Sequence, residues 1–169
     1  MTLIEVMLAL TILAVAVLAF SQALIATSRS TATTREMALA EQAVRQVVES
    51  MHAAEFAEVF ALYDSSAAND PDGAGTAPGQ DFDVPGLDAL SGDGDGMVGE
   101  VVFPEGVPGV LREDLAQVEL GMPRDLNGDG IDANDHSGDY QLLPVLVRVR
   151  WRGANGTAKL EVKTILASY

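Results

Sequence analysis

The segment that decides the fold is MTLIEVMLALTILAVAVLAF, residues 1–20. Its polar side chains are those of Thr2, Glu5 and Thr11, and no charged side chain other than that of Glu5 occurs before Arg29. A run of about 20 apolar residues is long enough for a helix to cross the hydrocarbon core of a bilayer. The sequence therefore predicts an N-terminal membrane-spanning helix that carries one carboxylate near its start.

Three interpretations of this segment compete. A secretory signal peptide requires a positively charged region before its apolar core, and this chain has no Lys or Arg before position 29. A simple membrane anchor fits the length but does not explain Glu5, because an ionised carboxylate is costly in hydrocarbon. In the third interpretation an upstream leader has been removed, so that Met1 carries a new α-amino group. The amine of one helix can then neutralise Glu5 of a neighbour that packs with a stagger.

The run Met1-Thr-Leu-Ile-Glu5-Val6 resembles the N-terminus of mature type IV pilins and type II secretion pseudopilins, above all the I-type minor pseudopilins and related minor pilins. The resemblance covers about the first 30 residues. It implies an α+β pilin fold, in which a long N-terminal helix packs on a C-terminal antiparallel sheet. It also implies cleavage by a prepilin peptidase, methylation of the new amine, and a role for Glu5 in docking subunits into a filament.

The same resemblance implies a bacterial protein that resides in the inner membrane before assembly and in a periplasmic or extracellular filament afterwards. Its expected partners are other pilin or pseudopilin subunits. The chain departs from many major pilins in having Gln22 in place of a proline and Ala14 in place of a glycine. A proline-driven break in the helix is therefore less expected here.

The spacing of apolar residues divides the chain into three segments. Residues 1–28 form the hydrophobic membrane or filament-core helix. Residues 29–63 continue it as an amphipathic helix, because apolar residues recur at helical spacing and no Pro or Gly occurs before Gly73. We expect one helix from about Thr2 to Leu62. Residues 64–169 form an acidic, loop-rich β domain.

The charges are distributed unevenly along the chain. It contains 25 acidic and 10 basic residues, for a formal net charge of −15. Such an acidic balance argues against a nucleic-acid-binding module, which would repel phosphates. The basic stripe of the C-terminal segment is expected to pair with acidic loops of the same or a neighbouring subunit. With no cysteine, two histidines and no Ser-His-Asp set or phosphate loop, the sequence favours a protein that is not an enzyme.

An acidic loop in the middle of the chain predicts a calcium site. Asp125, Asn127 and Asp129 are alternate oxygen-bearing residues followed by Gly130, an arrangement typical of calcium loops. The twelfth residue counted from Asp125 is His136 rather than the glutamate of an EF-hand. A run of Asx turns without metal is the alternative. A weaker candidate is formed by Asp93 and Asp95. The predicted ligands of the first site are Asp125, Asn127, Asp129, the Ile131 carbonyl, and Asp132 or Asp135.

The C-terminal residues 140–167 predict a β-hairpin. Two runs of alternating apolar and polar residues flank Gly153-Ala-Asn155-Gly156, and Asn-Gly is a strong hairpin signal. The alternation predicts that one face of the hairpin packs against the helix and that the other is polar and basic. The predicted inner face consists of Val147, Val149, Trp151, Leu160 and Val162.

Two classes of function follow from these observations. The first is a structural filament subunit, a pilin or pseudopilin, that assembles through the N-terminal helix and Glu5 and has a calcium-stabilised head domain. The second is an independent, single-pass membrane-anchored domain that binds calcium at the cell surface or acts in adhesion. Glu5 discriminates between them, because a lone anchor gains nothing from a carboxylate in its apolar segment. The choice between a pilus and a secretion pseudopilus stays open.

Overall fold

A computed structural model describes residues 2–130 and 135–168 of the chain. It confirms the predicted α+β arrangement, in which a long N-terminal helix packs on a C-terminal antiparallel sheet, and this arrangement is consistent with a pilin-like fold. The helices are α1 Leu3–Ala53 and α2 Val59–Tyr63. The strands are β1 Asp81–Phe82, β2 Gly99–Val102, β3 Glu105–Val107, β4 Val110–Leu111, β5 Leu142–Gly153 and β6 Gly156–Ala167.

The main sheet has the strand order β1-β2-β5-β6, and each neighbouring pair is antiparallel. The strands β5 and β6 contain 12 residues each and form the hairpin that the Asn-Gly signal predicts. Their register pairs Val149 with Leu160 and closes with Gly153 opposite Gly156. The short strands β3 and β4 form a separate antiparallel ribbon. The order leaves β1 and β6 as the two edges of the main sheet.

The helix α1 consists of an exposed half and a packed half. Every described side chain of α1 up to residue 31 is exposed to solvent. The packed half begins near residue 32 and buries Ala40, Val44 and Met51, which the helical period places on one face. At 1.5 Å per residue, the 51 residues of α1 extend over about 77 Å. The fold therefore resembles a rod with a β domain attached to its distal half.

The prediction of one helix as far as Leu62 is wrong, because α1 ends at Ala53 and the chain turns back. Ala54 is extended, and α2 follows after a 3-10 turn at Phe56–Glu58. The Tyr63 hydroxyl lies 2.8 Å from Ser50 Oγ, whereas 13 residues of straight helix would separate these positions by about 20 Å. The reversal buries Val59 and Phe60, which a straight helix would carry away from the domain.

The hydroxyl of Tyr140 holds this reversal in place. It donates a hydrogen bond to the Phe56 carbonyl at 2.6 Å and accepts one from the Phe60 N–H at 3.2 Å. The Tyr140 ring packs against Phe56, with ring centroids 5.0 Å apart. A residue more than 75 positions further along the chain thus binds the backbone at the 3-10 turn and at the start of α2.

The inner face of the sheet forms the core where α1 covers it. Val147, Val149 and Trp151 are buried as predicted. Leu160 and Val162 lie on the predicted inner face, beside α1, but Leu160 is only half-buried and Val162 is 36% exposed. Both residues lie on β6, an edge strand that α1 does not fully cover. Alternation along a strand identifies the face of the sheet but not whether that face is covered.

Replacing Gly99 with alanine tests the packing of β1 on β2. A Cβ atom at Gly99 would lie 2.2 Å from a ring carbon of Phe82, whereas one at Gly94 would have no heavy atom within 4 Å. We expect Gly99→Ala to lower the free energy of unfolding by about 1–3 kcal/mol, the usual cost of overpacking. Gly94→Ala is the matched control and should stay within about 0.5 kcal/mol of wild type. Urea unfolding in detergent measures both, and equal stabilities would contradict the packing described.

Candidate functional site

The exposed half of α1 is the first candidate site. Leu3 is 82% exposed and Phe20 is 66% exposed, and similar apolar side chains surround the helix on all sides. The most apolar 18-residue window of α1 has a mean hydropathy of 2.7, and none of that window is buried within the fold. The helix is long and apolar enough to cross a membrane, and it is compatible with membrane anchoring.

Glu5 makes a local contact that the sequence analysis missed. Its Oε2 accepts a hydrogen bond from the Thr2 N–H at 3.4 Å, the return contact of a capping box at the start of α1. The spacing Thr-x-x-Glu is the known signature of this motif and was visible in the sequence. Met1, whose amine was predicted to meet a neighbouring Glu5, lies outside the described residues. Glu5 thus has a capping role, and glutamine can supply the same hydrogen-bond acceptor, although without the favourable interaction of a carboxylate with the helix dipole.

A second group of contacts fixes the packed half of α1 to the β5–β6 turn. Glu36 accepts hydrogen bonds from the Trp151 indole N–H at 3.3 Å and from the Ala154 backbone N–H at 3.2 Å. The Asn155 amide donates to the Thr33 hydroxyl at 3.2 Å. These contacts lie where α1 changes from exposed to packed. They set the direction in which the apolar half leaves the domain.

The basic stripe on the outer face of the sheet is paired within the chain. Arg148 lies 2.9 Å from Glu119, 3.0 Å from Glu161 and 3.4 Å from Glu100, measured between guanidinium nitrogens and carboxylate oxygens. Arg150 also approaches Glu100, at 3.6 Å. The pairing expected with acidic residues therefore takes place within one subunit.

The structure brings three predicted calcium ligands onto one turn. Asp125 accepts hydrogen bonds from the backbone N–H groups of Gly128, at 2.6 Å, and Gly130, at 2.9 Å. The Asn127 side-chain oxygen accepts one from the Asp129 N–H at 3.1 Å. The Gly128 N–H, followed by that of Gly130, holds the pKa of Asp125 below its usual value. The described part of the turn thus has the Asx-type bonds of the alternative interpretation.

The remaining predicted ligands are Ile131, Asp132 and Asp135. Ile131 and Asp132 lie outside the described residues. Asp135 is exposed and accepts a hydrogen bond from the Ser137 N–H at 3.0 Å. Within residues 2–130 and 135–168, no group of three or more acidic or histidine side chains is arranged to hold a metal ion. Calcium binding by this loop therefore stays a prediction.

The weaker candidate, Asp93 and Asp95, is also held by hydrogen bonds within the chain. Asp95 accepts one from the Met97 N–H at 2.9 Å. Partial desolvation, then a hydrogen bond with Asp95 and the repulsion between the two carboxyls, raise the pKa of Asp93. Negative charge at this edge of the sheet is therefore crowded and only partly compensated.

His136 and Glu113 form a buried contact beneath the acidic loop that no pattern in the sequence predicts. His136 and Glu113 have side chains that are each 1% exposed, with His136 Nε2 3.3 Å from Glu113 Oε2. The other ring nitrogen lies 3.0 Å from Asp139, and Asp139 accepts a hydrogen bond from the Asn127 amide at 2.9 Å. Glu113 also accepts one from the Leu126 N–H. These contacts connect the Asp-rich turn to the core of the domain.

Comparison with known proteins adds no further assignment. No family model, no curated protein and no solved structure matches this chain. The function has to be argued from the residues and geometry described above.

Calcium dependence of thermal stability tests the acidic loop. Five Asp residues and no Lys or Arg occur between positions 125 and 139, so a divalent cation would relieve the repulsion among them. We expect the chain to melt at a higher temperature in calcium than in chelator. Binding to the folded state alone contributes about 2.7 kcal/mol when free calcium is 100-fold above Kd. The measurement is a pair of melting curves of the detergent-solubilised chain.

The matched variants separate metal binding from the Asx bonds. The double variant Asp125→Ala with Asp129→Ala should lose the difference between calcium and chelator, even if its stability falls in both. The double variant Asp93→Ala with Asp95→Ala should retain that difference. If chelator leaves the melting temperature of the wild-type chain unchanged, the loop is held by hydrogen bonds alone.

Proposed function

We propose that this chain is a structural subunit, a pilin or pseudopilin, of a type IV pilus-like or type II secretion filament. The observation that carries the proposal is the exposed half of α1, an apolar helix in which Glu5 is the one acidic or basic side chain before Arg29. This half is attached to a folded domain through the contacts of Glu36. An apolar surface of this size requires apolar surroundings, which are supplied either by lipid or by the helices of neighbouring subunits.

The chemistry of Glu5 suggests how a subunit moves between these two surroundings. Lipid tails and packed apolar helices are similarly apolar surroundings for the side chains of α1. The apolar side chains alone therefore give the subunit little preference for one over the other. The carboxylate differs, because it is costly in hydrocarbon unless an opposite charge neutralises it. The amine of an adjacent, staggered subunit, freed by a prepilin peptidase, is the proposed partner. The charge pair then specifies the register between neighbouring helices.

In this proposal the acidic head domain lies outside the inner membrane. In this proposal calcium binds the Asp125–Asp129 turn, with the Glu113–His136 pair connecting that turn to the core. Calcium is commonly available in such a compartment at levels that suit a weak site. The subunit would then occupy the inner membrane before assembly and a periplasmic or extracellular filament afterwards.

The second candidate is an independent, membrane-anchored calcium-binding surface or adhesion domain. The capping bond between Glu5 and the Thr2 N–H favours it, because a lone anchor also benefits from a capped helix. The two functions therefore differ in what they require of Glu5. A lone anchor requires at most its hydrogen-bonding capacity, whereas the filament subunit requires its charge.

Replacing Glu5 with glutamine separates these requirements. Glu5→Gln keeps an acceptor for the Thr2 N–H and removes the charge, whereas Glu5→Ala removes both. We expect both variants to remain in the membrane and both to enter filaments at least about tenfold less than wild type, because the neighbouring amine would lose its counter-charge. The measurement is the ratio of filament to membrane protein in the native cell.

Thr11→Ala serves as the matched control in the same helix. The Thr11 hydroxyl bonds only to the Met7 carbonyl one turn earlier, at 2.8 Å, so this substitution should leave incorporation unchanged. Normal incorporation of Glu5→Gln together with loss of Glu5→Ala would indicate that Glu5 acts as a helix cap, and the filament mechanism proposed above would fail.

A further inference from the structure

The strand β6 presents a long edge with an uncovered apolar groove beside it. It contains 12 residues and is the last strand of the sheet. Leu160 and Val162 of β6, with Val44 and Val48 of α1, line an open groove of about 640 Å³, and its remaining lining residues are the charged Glu41, Arg45 and Glu49 of α1. Soluble domains normally shorten, bend or cover such an edge, since it invites pairing with another chain. An occupant for this groove is therefore expected.

The opposite edge of the sheet also has a groove beside α1. Phe82 and Asp83 at β1, together with Val47 of α1, line a cavity of about 310 Å³. The segment 64–100, which contains β1, has nine acidic residues and no Lys or Arg. Asp81 lies in the same recess of the sheet as Asp93 and Asp95, on the outer side of the strand pair. This edge combines an apolar groove with excess negative charge.

The outer face at the β6 edge has the opposite character. Lys159 and Lys163 are exposed there. Of the acidic side chains among them, Glu119 is paired with Arg148, and Glu161 is paired with Arg148 and, at 3.4 Å, with Lys159, so that Lys163 and part of the charge of Lys159 remain uncompensated. The two edges of one sheet thus offer apolar grooves on the helix side and charges of opposite sign on the outer side, an arrangement in which one edge complements the other.

Strand direction allows these edges to meet between copies that share one orientation. Because each neighbouring pair in the order β1-β2-β5-β6 is antiparallel, β1 runs antiparallel to β6. Two copies whose α1 helices point the same way can therefore place β6 of one antiparallel to β1 of the next. Antiparallel pairing of two β6 edges in one continuous sheet would instead point their α1 helices in opposite directions. Anchoring in a single membrane disfavours that geometry.

We propose that the β6 edge docks against the β1 edge of a second copy of this chain. The contact is head-to-tail, so an array of copies retains one free β6 edge at one end and one free β1 edge at the other. The apolar grooves supply the buried area, and Lys159 and Lys163 lie against the carboxylates around Asp81. The inference rests on the proposed filament function and specifies the partner of the head domain.

Thiol crosslinking tests the contact, since the chain has no native cysteine. The full-length protein in its native membrane carries Val162→Cys on β6 and Pro78→Cys beside β1, each lining its groove. A short bismaleimide should then give a ladder of dimers, trimers and larger species. Each single-cysteine variant is the matched control and should stay monomeric. A dimer from Val162→Cys alone would show a β6–β6 contact and overturn the proposal, as would the absence of any ladder.

Charge reversal in the same double-cysteine background tests the complementarity. Lys159→Glu with Lys163→Glu should reduce the ladder about tenfold, and Asp81→Lys with Asp93→Lys should do the same, because like charges then face each other. Combining all four substitutions should restore it. If the combined variant does not recover although its melting temperature equals that of wild type, the edges do not meet as proposed.

The outcomes also separate this inference from the proposed function. A crosslinked ladder that persists in the Glu5→Gln variant, with normal filaments, would keep the edge contact and remove the role of Glu5. Filaments that depend on the Glu5 charge, with no ladder, would keep the filament function and overturn the edge contact.

Discussion

The contact between Glu36 and the β5–β6 turn is the constraint on which the rest of the structure depends. The Glu36 carboxylate accepts hydrogen bonds from the backbone N–H of Ala154 and from the indole N–H of Trp151, the largest of the fully buried side chains described. Gly153 permits the approach, since a Cβ there would lie 2.6 Å from Glu36 Oε2. The contact fixes where the sheet meets α1. It therefore decides that about 30 residues of apolar helix project from the domain rather than being covered by it.

Two different stabilising arrangements act on either side of that contact. On the C-terminal side of the contact, Val44 and Met51 of α1 are buried in the hydrophobic core, so packing stabilises the domain. In the acidic loops apolar burial is scarce, and polar contacts take its place, as in the pair of Glu113 with His136. A buried pair of this kind gives limited net stability but is costly to break. It makes the position of the acidic turn dependent on contacts within the core.

Much of the fold is predictable from local patterns, and the failures share a cause. The alternation that ends at Trp151 and the Asn155-Gly156 turn predict β5 and β6 correctly, because both depend on neighbouring residues. The end of α1 at Ala53 depends instead on Tyr140, a residue far along the chain. The exposure of Val162 likewise depends on where the helix crosses the sheet. The local spacing of apolar residues indicates neither where α1 ends nor whether Val162 is covered.

The candidate site also contains some features that the local sequence predicts and others that it does not. The exposed apolar helix and Glu5 are visible in the sequence, and so is the Thr2–Glu5 capping signature, once it is sought. The pair of Glu113 and His136 has no local signature, because 22 intervening residues separate its members and only the folded domain brings them together. The turn at Asp125 was predicted from its spacing, whereas the link from Asn127 to Asp139 was not.

The central claim is that the charge of Glu5 holds neighbouring subunits in register. The most direct measurement is an electron cryomicroscopy reconstruction of filaments that contain this chain. The account predicts that the Glu5 carboxylate lies within about 4 Å of the N-terminal amine of an adjacent subunit, the distance of an ion pair. A reconstruction in which Glu5 contacts only Thr2 of its own chain, with the neighbouring amine elsewhere, would contradict it.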